Sequence, residues 1–336
     1  ISGRTSRATR ARGNNTRAFY GREISGVPLA LHDYAGIIDY SPSELVISAR
    51  VGTPLADIAA ALSGEGQLLA FEPPAFGTGA TLGGTIACGL SGPRRPWSGA
   101  ARDSVLGINC INGHGEYLRF GGQVMKNVAG YDLSRTLTGS LGTLAILLDI
   151  HLKVIPCSET ELTLRQSCTE AQAIERCNAW SAKPLPLTAA CYDGSQLVYR
   201  LSGTARGVEA AAGQLGGERD TEAATFWQDL REQRLAFFAG DMPLWRLSVP
   251  RATPPLSLDG EQLVDWGGAQ RWLRSTASTE SIRRAIAGAG GHATLFRGGE
   301  RSGAIFHPLE PALLALHQRL KTAFDPHGVL NPGRMY

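Results

Sequence analysis

Two short glycine-rich stretches carry the clearest chemical signal in the sequence. They are residues 13–16 (Gly-Asn-Asn-Thr) and residues 81–85 (Thr-Leu-Gly-Gly-Thr). Because glycine has no Cβ, the backbone N–H groups of such loops can approach a phosphate or another anion closely. Neither stretch fits the GxGxxG or GxxxxGK[ST] spacing of the common nucleotide-binding motifs. The residues alone therefore predict an anion or dinucleotide site of unspecified ligand.

The elements around these stretches change in character along the chain. Thr53-Pro54 predicts the start of a helix, residues 83–90 predict a short helix of small residues, and Asn112-Gly113-His114-Gly115 predicts a hairpin turn. After Pro156 the pattern becomes strands alternating with capped helices, the first over 169–182. This second part predicts helices on an antiparallel sheet, an α+β arrangement.

Composition limits the class of protein. A length of 336 residues with 43% hydrophobic and 19% charged residues predicts about two globular domains. The net charge of +3 does not indicate a nucleic-acid binder. Arg4, Arg7, Arg10, Arg12, Arg17 and Arg22 precede the first acidic residue. We attribute this arginine excess to a GC-rich genome, with a basic nucleic-acid-binding arm as the alternative.

The cysteines and the apolar runs exclude further classes. None of the six cysteines forms a CxxC pair, so neither a zinc site nor an iron–sulfur cluster is predicted, and the thiols are expected to be reduced. No apolar run approaches the about 20 residues of a membrane span, and no signal peptide is visible. We therefore expect a cytoplasmic protein.

Longer stretches of the sequence resemble one known family. Residues 73–108, 111–135 and 139–147 resemble the FAD-binding domain of the vanillyl-alcohol oxidase type (the PCMH fold), and in particular the FAD-binding E subunits of bacterial glycolate oxidases. Stretches at 226–238, 244–250, 265–275 and 324–336 extend the resemblance. It implies an α+β fold, in which two α/β lobes hold an extended FAD and an α+β antiparallel-sheet cap covers the flavin. The implied domains are 1–156 (FAD-binding), 157–297 (cap) and 298–336 (a segment returning to the FAD domain).

The resemblance also implies which residues hold the cofactor. Many relatives attach FAD covalently through a histidine in the first loop, where this chain has Thr16, so non-covalent FAD is expected. Lys126 is either a cation near the flavin or a solvated lysine, and residues 130–132 either meet the cofactor or stabilise a turn. The implied FAD-binding residues are Gly13, Asn14, Asn15, Thr16, Thr81, Leu82, Gly83, Gly84, Ala87, Ser91, Gly92, Trp97, Gly99, Gly142, Thr143, Ala145, Ile146, Asn331 and Arg334.

Catalytic residues are harder to identify. Relatives that oxidise 2-hydroxy acids hold a metal ion with cap histidines in a GH-x-GDGN-x-H segment, but the corresponding residues 265–272 here contain no histidine, so no metal is expected. His292, Arg297 and Arg246 are the candidates for catalysis, and His292 and Arg297 are near the predicted last cap strand. Arg246 and Arg271 are also candidates for binding a carboxylate. Ordinary structural roles remain the alternative for each of these residues.

The function implied by the resemblance is that of one subunit in a complex. This subunit would bind FAD and take part in the oxidation of glycolate, a 2-hydroxy acid, to glyoxylate. The implied partners are a second FAD-binding subunit and an iron–sulfur subunit that receives the electrons. They would also provide any peripheral attachment to the inner membrane. Two alternatives stay open: a self-sufficient FAD-linked 2-hydroxy-acid or alcohol dehydrogenase, and a non-catalytic scaffold of the same fold.

Overall fold

The computed structural model describes residues 8–122 and 133–335. The strands are β1 (Thr9–Arg12), β2 (Val27–Ala30), β3 (Ile37–Ser41), β4 (Val46–Arg50), β5 (Gln67–Leu68), β6 (Val105–Asn112), β7 (Tyr117–Gly121), β8 (Ala145–Lys153), β9 (Ile155–Pro156), β10 (Thr160–Ser167), β11 (Leu187–Tyr192), β12 (Gln196–Gly203), β13 (Glu218–Arg219), β14 (Leu244–Ser248), β15 (Glu261–Asp265), β16 (Gln270–Arg274) and β17 (His292–Arg297). The α-helices are α1 (Leu55–Gly64), α2 (Leu82–Cys88), α3 (Arg95–Ser98), α4 (Ala101–Ser104), α5 (Leu133–Leu137), α6 (Glu170–Ser181), α7 (Ala205–Leu215), α8 (Ala223–Glu232), α9 (Thr279–Gly288) and α10 (Pro311–Phe324). Short 3₁₀ helices lie at Pro42–Glu44, Ala236–Phe238 and Trp266–Gly268.

The chain divides into two compact units that alternate along the sequence. Unit 1 comprises the residues up to Ser91, then Ala100–Pro156, and the residues from Arg301 on; unit 2 comprises Gly92–Gly99 and Cys157–Glu300. The sequence predicted boundaries after residues 156 and 297, without the excursion at 92–99. That excursion belongs to unit 2 because α3 packs against β11 and against the 3₁₀ helix Trp266–Gly268.

Unit 1 is built on an antiparallel sheet of five strands in the order β3-β4-β8-β6-β7. One face of this sheet is apolar and is covered by helices: Ile58 and Leu62 of α1 and Ile86 of α2 form one core with Ile108 of β6 and Ile150 of β8. Strands β1 and β2 pair in parallel as a separate two-stranded sheet. The helices bury apolar residues against the sheet, and Thr81 caps α2 at its beginning.

The other face of the same sheet carries a buried polar network. Ser48 Oγ lies 2.7 Å from His151 Nδ1, and the Asp149 carboxylate accepts hydrogen bonds from Tyr34 and from Asn109, each at 2.9 Å. Burial lowers the pKa of His151, and the nearby Asp149 carboxylate opposes this effect. The network satisfies polar groups that the pleat of the strands places inside unit 1.

The tail is anchored to unit 1 by buried polar contacts. Lys321 Nζ donates to Thr143 O at 2.6 Å and to Leu330 O at 2.9 Å, and it forms an ion pair with Asp325. Burial alone would raise the pKa of Asp325, but hydrogen bonds from Lys321 and from two backbone N–H groups hold this pKa below its usual value. Thr9 of β1 then bridges to Leu330 in parallel. The residues after α10 therefore return to the first strand.

Unit 2 is built on an antiparallel sheet of eight strands in the order β13-β10-β12-β11-β15-β16-β14-β17. At one end of the sheet, Trp180 of α6 and Val208 of α7 share a core with Leu164, Tyr199 and Leu201. The predicted helix over 169–182 is observed as α6, and Thr169 caps it in a reciprocal capping box. Across the described part of the chain, no helix is both long enough and apolar enough to cross a membrane.

The other end of the unit 2 sheet buries one face and leaves polar residues on the opposite one. Trp245 and Leu247 of β14 pair with Leu295 and Ala293 of β17, all four are buried, and α9 packs against β17. Successive residues of a strand point to opposite faces. Arg246 therefore belongs to the face that is not covered by α9.

Gly113 lies so close to the tail that a methyl group would not fit. A Cβ at this position would be 2.3 Å from Asp325 Oδ1 and 2.6 Å from Asp325 Cα, and main-chain atoms cannot move aside easily. We expect Gly113→Ala to lower the free energy of unfolding by about 1–3 kcal/mol. Gly64→Ala is the control, because a Cβ there would have no neighbour within 4 Å. Urea unfolding measures both variants, and equal stabilities would contradict the packing described.

The buried His151 predicts a loss of stability in mild acid. Its pKa is lower in the folded protein than in the unfolded chain. The unfolded state therefore binds more protons between the two values, and stability falls as the pH drops through the unfolded pKa towards the folded one. We expect His151→Asn to flatten the pH dependence of the unfolding free energy between about pH 7 and pH 5. Denaturant midpoints at several pH values test this, with the loop variant His32→Asn as control. A wild-type slope in His151→Asn would refute it.

Candidate functional site

Unit 1 contains a cavity of about 160 Å³ that the two glycine-rich stretches line together. It is bounded by the residues from Arg10 to Ala18, by part of α2, and by the tail. A second hollow of about 70 Å³ shares part of its lining and extends towards Gly142, Ala145 and Ile146. Two stretches that are far apart in sequence thus form one site.

The first glycine-rich loop presents its backbone to this cavity. The backbone N–H groups of residues 13–16 donate to no acceptor among the residues that the structure describes. A Cβ on Gly13 would lie 2.5 Å from Thr81 Oγ1, so a side chain there would collide with the second stretch. Asn15 has a φ of 59°, which turns the loop sharply. Free amides on a tight turn form a concave surface that suits an anion.

The second stretch contributes differently from the first. Thr81 is the N-cap of α2, and a Cβ on Gly83 would lie 2.6 Å from Val51 Cβ. Gly83 N donates to Val51 O at 2.8 Å, so this amide is already used within the protein. Gly84 and Ala87 line the cavity. The close approach of α2 to β4 therefore explains Gly83, whereas Gly84 and Ala87 leave room beside the first loop.

Positive charge is concentrated around the cavity. Arg10, Arg12, Arg17 and Arg334 line it, and none of its lining residues is acidic. The Nε atom of Arg10 is buried and has no hydrogen-bond partner among the described residues. Burial lowers the pKa of Arg334, and the charge of Arg10 adds to this effect, whereas Cys88 opposes it. Guanidinium groups held this close together are favoured when an anion lies between them.

Asn331 joins two walls of the site. Its Oδ1 accepts a hydrogen bond from Ala11 N at 3.0 Å, and its Nδ2 donates to Leu141 O at 2.7 Å. A Cβ on Gly142 would lie 2.8 Å from the same Nδ2, so glycine is required where this amide passes. Asn331, which we expected to bind the cofactor, therefore uses these side-chain hydrogen bonds to connect the backbone of the site.

Arg334 holds the segment that follows the first glycine-rich loop. Its Nη2 donates to Tyr20 O at 2.6 Å and to Ala18 O at 3.2 Å, and its Nη1 donates to Arg22 O at 3.2 Å. Arg334 thus fixes three carbonyl groups of unit 1 while its charge remains at the cavity. A guanidinium has five N–H donors in a fixed plane, so one arginine can bind all three carbonyl groups.

Some of the expected FAD-binding residues line the two cavities, and others do not. Leu82 and Thr143 do not line the cavities: Leu82 is in the core, and Thr143 Oγ1 donates to Ser140 O. Ser91 Oγ accepts a hydrogen bond from Ala101 N, while Gly92, Trp97 and Gly99 belong to unit 2. Lys126 and residues 130–132 lie outside the described residues. The expected residues that line the two cavities are Gly13, Asn14, Asn15, Thr16, Thr81, Gly83, Gly84, Ala87, Gly142, Ala145, Ile146, Asn331 and Arg334.

The site as a whole fits an extended dinucleotide cofactor such as FAD. Its free amides and its guanidinium groups suit a pyrophosphate, and the glycines leave the space that such a group needs. The sequence analysis attributed the arginine excess to base composition. Three of the early arginines, Arg10, Arg12 and Arg17, line the same cavity, which the base-composition interpretation did not anticipate. Their spacing around one glycine-rich loop was the signal that could have revealed them.

The three candidate catalytic residues do not converge. His292 and Arg297 lie at opposite ends of β17, about 16 Å apart at the usual rise per residue. Arg297 donates to Gln233 Oε1 at 2.5 Å, and burial lowers its pKa. His292 is exposed and pairs with Ser248, two residues from Arg246. Arg246 and His292 therefore share a face of the sheet, while Arg297 lies beyond their reach.

Residues 265–272 comprise the end of β15, the 3₁₀ helix Trp266–Gly268 and the beginning of β16 in unit 2. Asp265 Oδ1 accepts a hydrogen bond from Trp266 N at 2.7 Å, and Trp266 has a φ of 55° although it is not glycine. The guanidinium groups of Arg95 and Arg246 lie over the Trp266 ring, 4.4 Å and 5.1 Å from its centroid. No group of three or more His, Cys, Asp and Glu residues that could hold a metal ion occurs within 8–122 and 133–335.

Arg271 has a structural role in this part of unit 2. It is fully buried, and its guanidinium donates to Gly268 O, to Thr253 O and to Glu170 Oε1. Burial lowers the pKa of Arg271, and the Glu170 carboxylate opposes this effect. The sequence singled out Arg271 as a carboxylate-binding candidate, but the carboxylate that it meets is Glu170.

Comparison with protein-family models gives two matches. Residues 2–121 match an FAD binding domain, and residues 301–335 match the C-terminal domain of FAD linked oxidases. Both matched segments contribute residues to the unit 1 cavity. The family models therefore agree with a cofactor site built from the beginning and the end of the chain.

Individual relatives extend the match to nearly all of the chain. The chain is 51% identical over 324 residues, 96% of its length and 91% of the relative's, to glycolate oxidase subunit GlcE of Escherichia coli (strain K12). It is 32% identical over 139 residues, 41% of its length and 29% of the relative's, to glycolate oxidase subunit GlcD of Bacillus subtilis (strain 168). Among solved structures, an alkyldihydroxyacetonephosphate synthase matches with a TM-score of 0.65 at 15% identity, covering 97% of this chain and 71% of that one. This last likeness shows a shared fold.

The cluster of arginines predicts that affinity for FAD depends on the pyrophosphate. We expect Arg10→Gln to weaken FAD binding about tenfold, because one charged hydrogen-bond donor to an anion is lost. Riboflavin, which has no phosphate, should bind both proteins equally. Fluorescence titration at increasing salt measures the effect, and Arg119→Gln on β7 is the control. The assignment fails if Arg10→Gln binds FAD as the unmodified protein does.

Proposed function

From the premise that this chain belongs to the FAD-linked oxidase family, as its match to GlcE over nearly its whole length shows, we propose that it is the FAD-binding subunit of a glycolate oxidase. The reaction is the oxidation of glycolate to glyoxylate. The observation that carries this proposal is the unit 1 cavity, which is lined by free backbone amides and by four arginines. This cavity occurs in a chain that is similar to a named glycolate oxidase subunit over nearly its whole length. A chain that had become a scaffold would have no need to keep this charge.

The residues of unit 1 would hold the cofactor in three ways. The amides of residues 13–16 and the guanidinium groups of Arg10, Arg17 and Arg334 would neutralise the pyrophosphate. Bound FAD supplies a hydride acceptor for alcohol oxidation. Thr16 has no nucleophilic ring nitrogen and stands where many relatives have a histidine, so the cofactor would be held without a covalent bond. Asn331 keeps the two walls of the site at a fixed spacing.

The electrons would leave through other subunits. The six cysteines contain no CxxC pair, and burial raises the pKa of Cys110 to about 11 and that of Cys177 to about 12. We place the iron–sulfur cluster on another chain. The proposed partners are a second FAD-binding subunit and an iron–sulfur subunit. The chain would be cytoplasmic and would meet the inner membrane through them.

The experiment that tests this function separates cofactor, substrate and partners. The chain is purified from its native cells together with whatever subunits accompany it. Acid precipitation should release stoichiometric FAD into the supernatant, and anaerobic glycolate should bleach the flavin absorbance of the complex. Lactate and a simple alcohol serve as comparison substrates. A colourless protein that takes up no FAD would support the scaffold instead.

The same preparation distinguishes the complex from a self-sufficient dehydrogenase. If glycolate bleaches the flavin of the isolated chain as quickly as that of the complex, the partners are not needed for substrate oxidation. If the chain purifies alone from native cells, the subunit proposal fails. Bleaching that requires the accompanying subunits is the expected result.

A further inference from the structure

We propose that anion binding at the first glycine-rich loop and docking of the tail stabilise each other, and that Arg301 and Arg334 position the loop for this coupling. An anion bound at the loop favours the docked tail, and the docked tail favours anion binding. That the anion is the pyrophosphate of FAD rests on the proposed function, whereas the contacts rest on the geometry of unit 1. The sequence analysis assigned Arg334 to the cofactor and did not single out Arg301.

Two arginines of the tail hold the carbonyl groups of the segment that follows the loop. Arg301 Nη2 donates to Gly21 O at 2.8 Å. Arg334 donates to the carbonyl groups of residues 18, 20 and 22, and its own carbonyl accepts from the backbone N–H of residue 22 at 3.1 Å. Four of the five carbonyl groups in residues 18–22 therefore meet a guanidinium of the tail. We call Arg301, Arg334 and residues 18–22 the arginine–carbonyl cluster.

The arginine–carbonyl cluster is continuous with the backbone that faces the cavity. The backbone N–H of residue 18 donates to Asn15 O, and that of residue 20 donates to Arg17 O, each at 3.0 Å. Two successive turns therefore link the loop to the cluster. Tyr20 also packs edge-on against Phe306 of the tail, with ring centroids 5.7 Å apart. The tail thus helps to set where the free amides of residues 13–16 lie.

Docking of the tail also brings positive charges together. Arg10 and Arg334 both line the cavity, whose lining contains no acidic residue. Burial lowers the pKa of Arg334, Cys88 opposes this effect, and the charge of Arg10 adds to it. Burial likewise lowers the pKa of Arg301, the charge of Arg334 adds to this effect, and Glu23 opposes it. Because like charges repel, the docked tail carries an electrostatic cost that an anion at the loop offsets.

The side chain of Arg10 separates the effect of charge from that of contact. Its guanidinium donates no hydrogen bond to any residue that the structure describes, and its Nε atom is buried. Arg10 therefore adds repulsion to the docked tail without adding a hydrogen bond that holds it. Removing this charge should stabilise the docked tail of the FAD-free chain and weaken the anion site. Loss of a purely structural contact does not produce two changes of opposite sign.

Residues 324–330 report docking of the tail without being covered by the ligand. They line neither cavity, and the backbone N–H groups of Val329 and Leu330 donate to the Asp325 carboxylate. Coupling between two events is reciprocal, so an anion that gains affinity from the docked tail must lower the population of the open tail by the same factor. Hydrogen exchange of these amides measures that population.

The coupling is tested by following hydrogen exchange of residues 324–330 with mass spectrometry. The full chain is measured with FAD removed, and then with FAD, riboflavin or inorganic pyrophosphate added. We expect FAD and pyrophosphate to slow exchange about tenfold, and riboflavin, which has no phosphate, to leave it unchanged. In the FAD-free chain, Arg10→Gln should slow exchange about threefold, because one repelling charge is gone. The same variant should gain less protection from FAD.

Substitution of Arg301 tests the role of the contact. Arg301→Gln removes the hydrogen bond to Gly21 and should weaken binding of FAD and of pyrophosphate about tenfold, with riboflavin binding unchanged, although Arg301 lines neither cavity. Arg301→Lys should restore most of the affinity, because one donor suffices for one carbonyl group. Arg319→Gln is the matched control, since Arg319 is an exposed arginine of α10 that lines neither cavity. It should match the unmodified chain in exchange and in affinity.

The proposal is overturned if neither FAD nor pyrophosphate slows exchange in residues 324–330, or if riboflavin protects them as FAD does. It is also overturned if Arg10→Gln does not slow their exchange in the FAD-free chain, or if Arg301→Gln keeps full affinity. Glycolate is absent throughout, and its bleaching of the complex is measured separately. Bleaching without anion-dependent protection refutes this coupling and leaves the proposed function standing, and protection without bleaching does the reverse.

Discussion

The cofactor site depends on one side chain, the amide of Asn331. Its oxygen accepts a hydrogen bond from Ala11 beside the first glycine-rich loop, and its nitrogen donates to Leu141 beside Gly142. These two contacts join parts of the chain that are 320 and 190 residues away from Asn331. They connect the wall formed by β1 directly with the turn before β8, in addition to the link through Lys321, Leu330 and Thr9. The ion pair of Lys321 with Asp325 and the close packing of Gly113 hold the tail in place for this purpose.

The two units use arginine differently. In unit 1, Arg10, Arg12, Arg17 and Arg334 surround a cavity without acidic lining residues. In unit 2, Arg200 and Arg271 have carboxylate partners within the unit, so charge is compensated where the arginine is structural. The cluster around the first glycine-rich loop suits a pyrophosphate, which carries the opposite charge.

Local rules predicted part of this architecture and failed where long-range contacts decide. The helix after Thr53-Pro54, the turn at residues 112–115 and the capped helix α6 follow from capping and turn preferences, and all three are observed. The strand β15 and the helix α8 were missed because their patterns are short and mixed. The placement of residues 92–99 in unit 2 could not be predicted, because it depends on packing against β11 and the turn at Trp266. The glycine positions and Arg334 indicated the cofactor site, but Arg10, Arg12 and Arg17 were not predicted to line it, since charge alone does not reveal what it surrounds.

The alternation of the two units along the chain has a consequence for synthesis. Unit 2 combines Gly92–Gly99 with Cys157–Glu300, whereas unit 1 is complete only with residues beyond 300. A growing chain can therefore complete unit 2 before the tail is made. It cannot close the cofactor site until Asn331 has been made and can fold back onto unit 1. Contacts of such long sequence separation form slowly. Loading of the cofactor would accordingly follow translation, and nascent chains that stop before the tail would expose an incomplete, positively charged site to degradation.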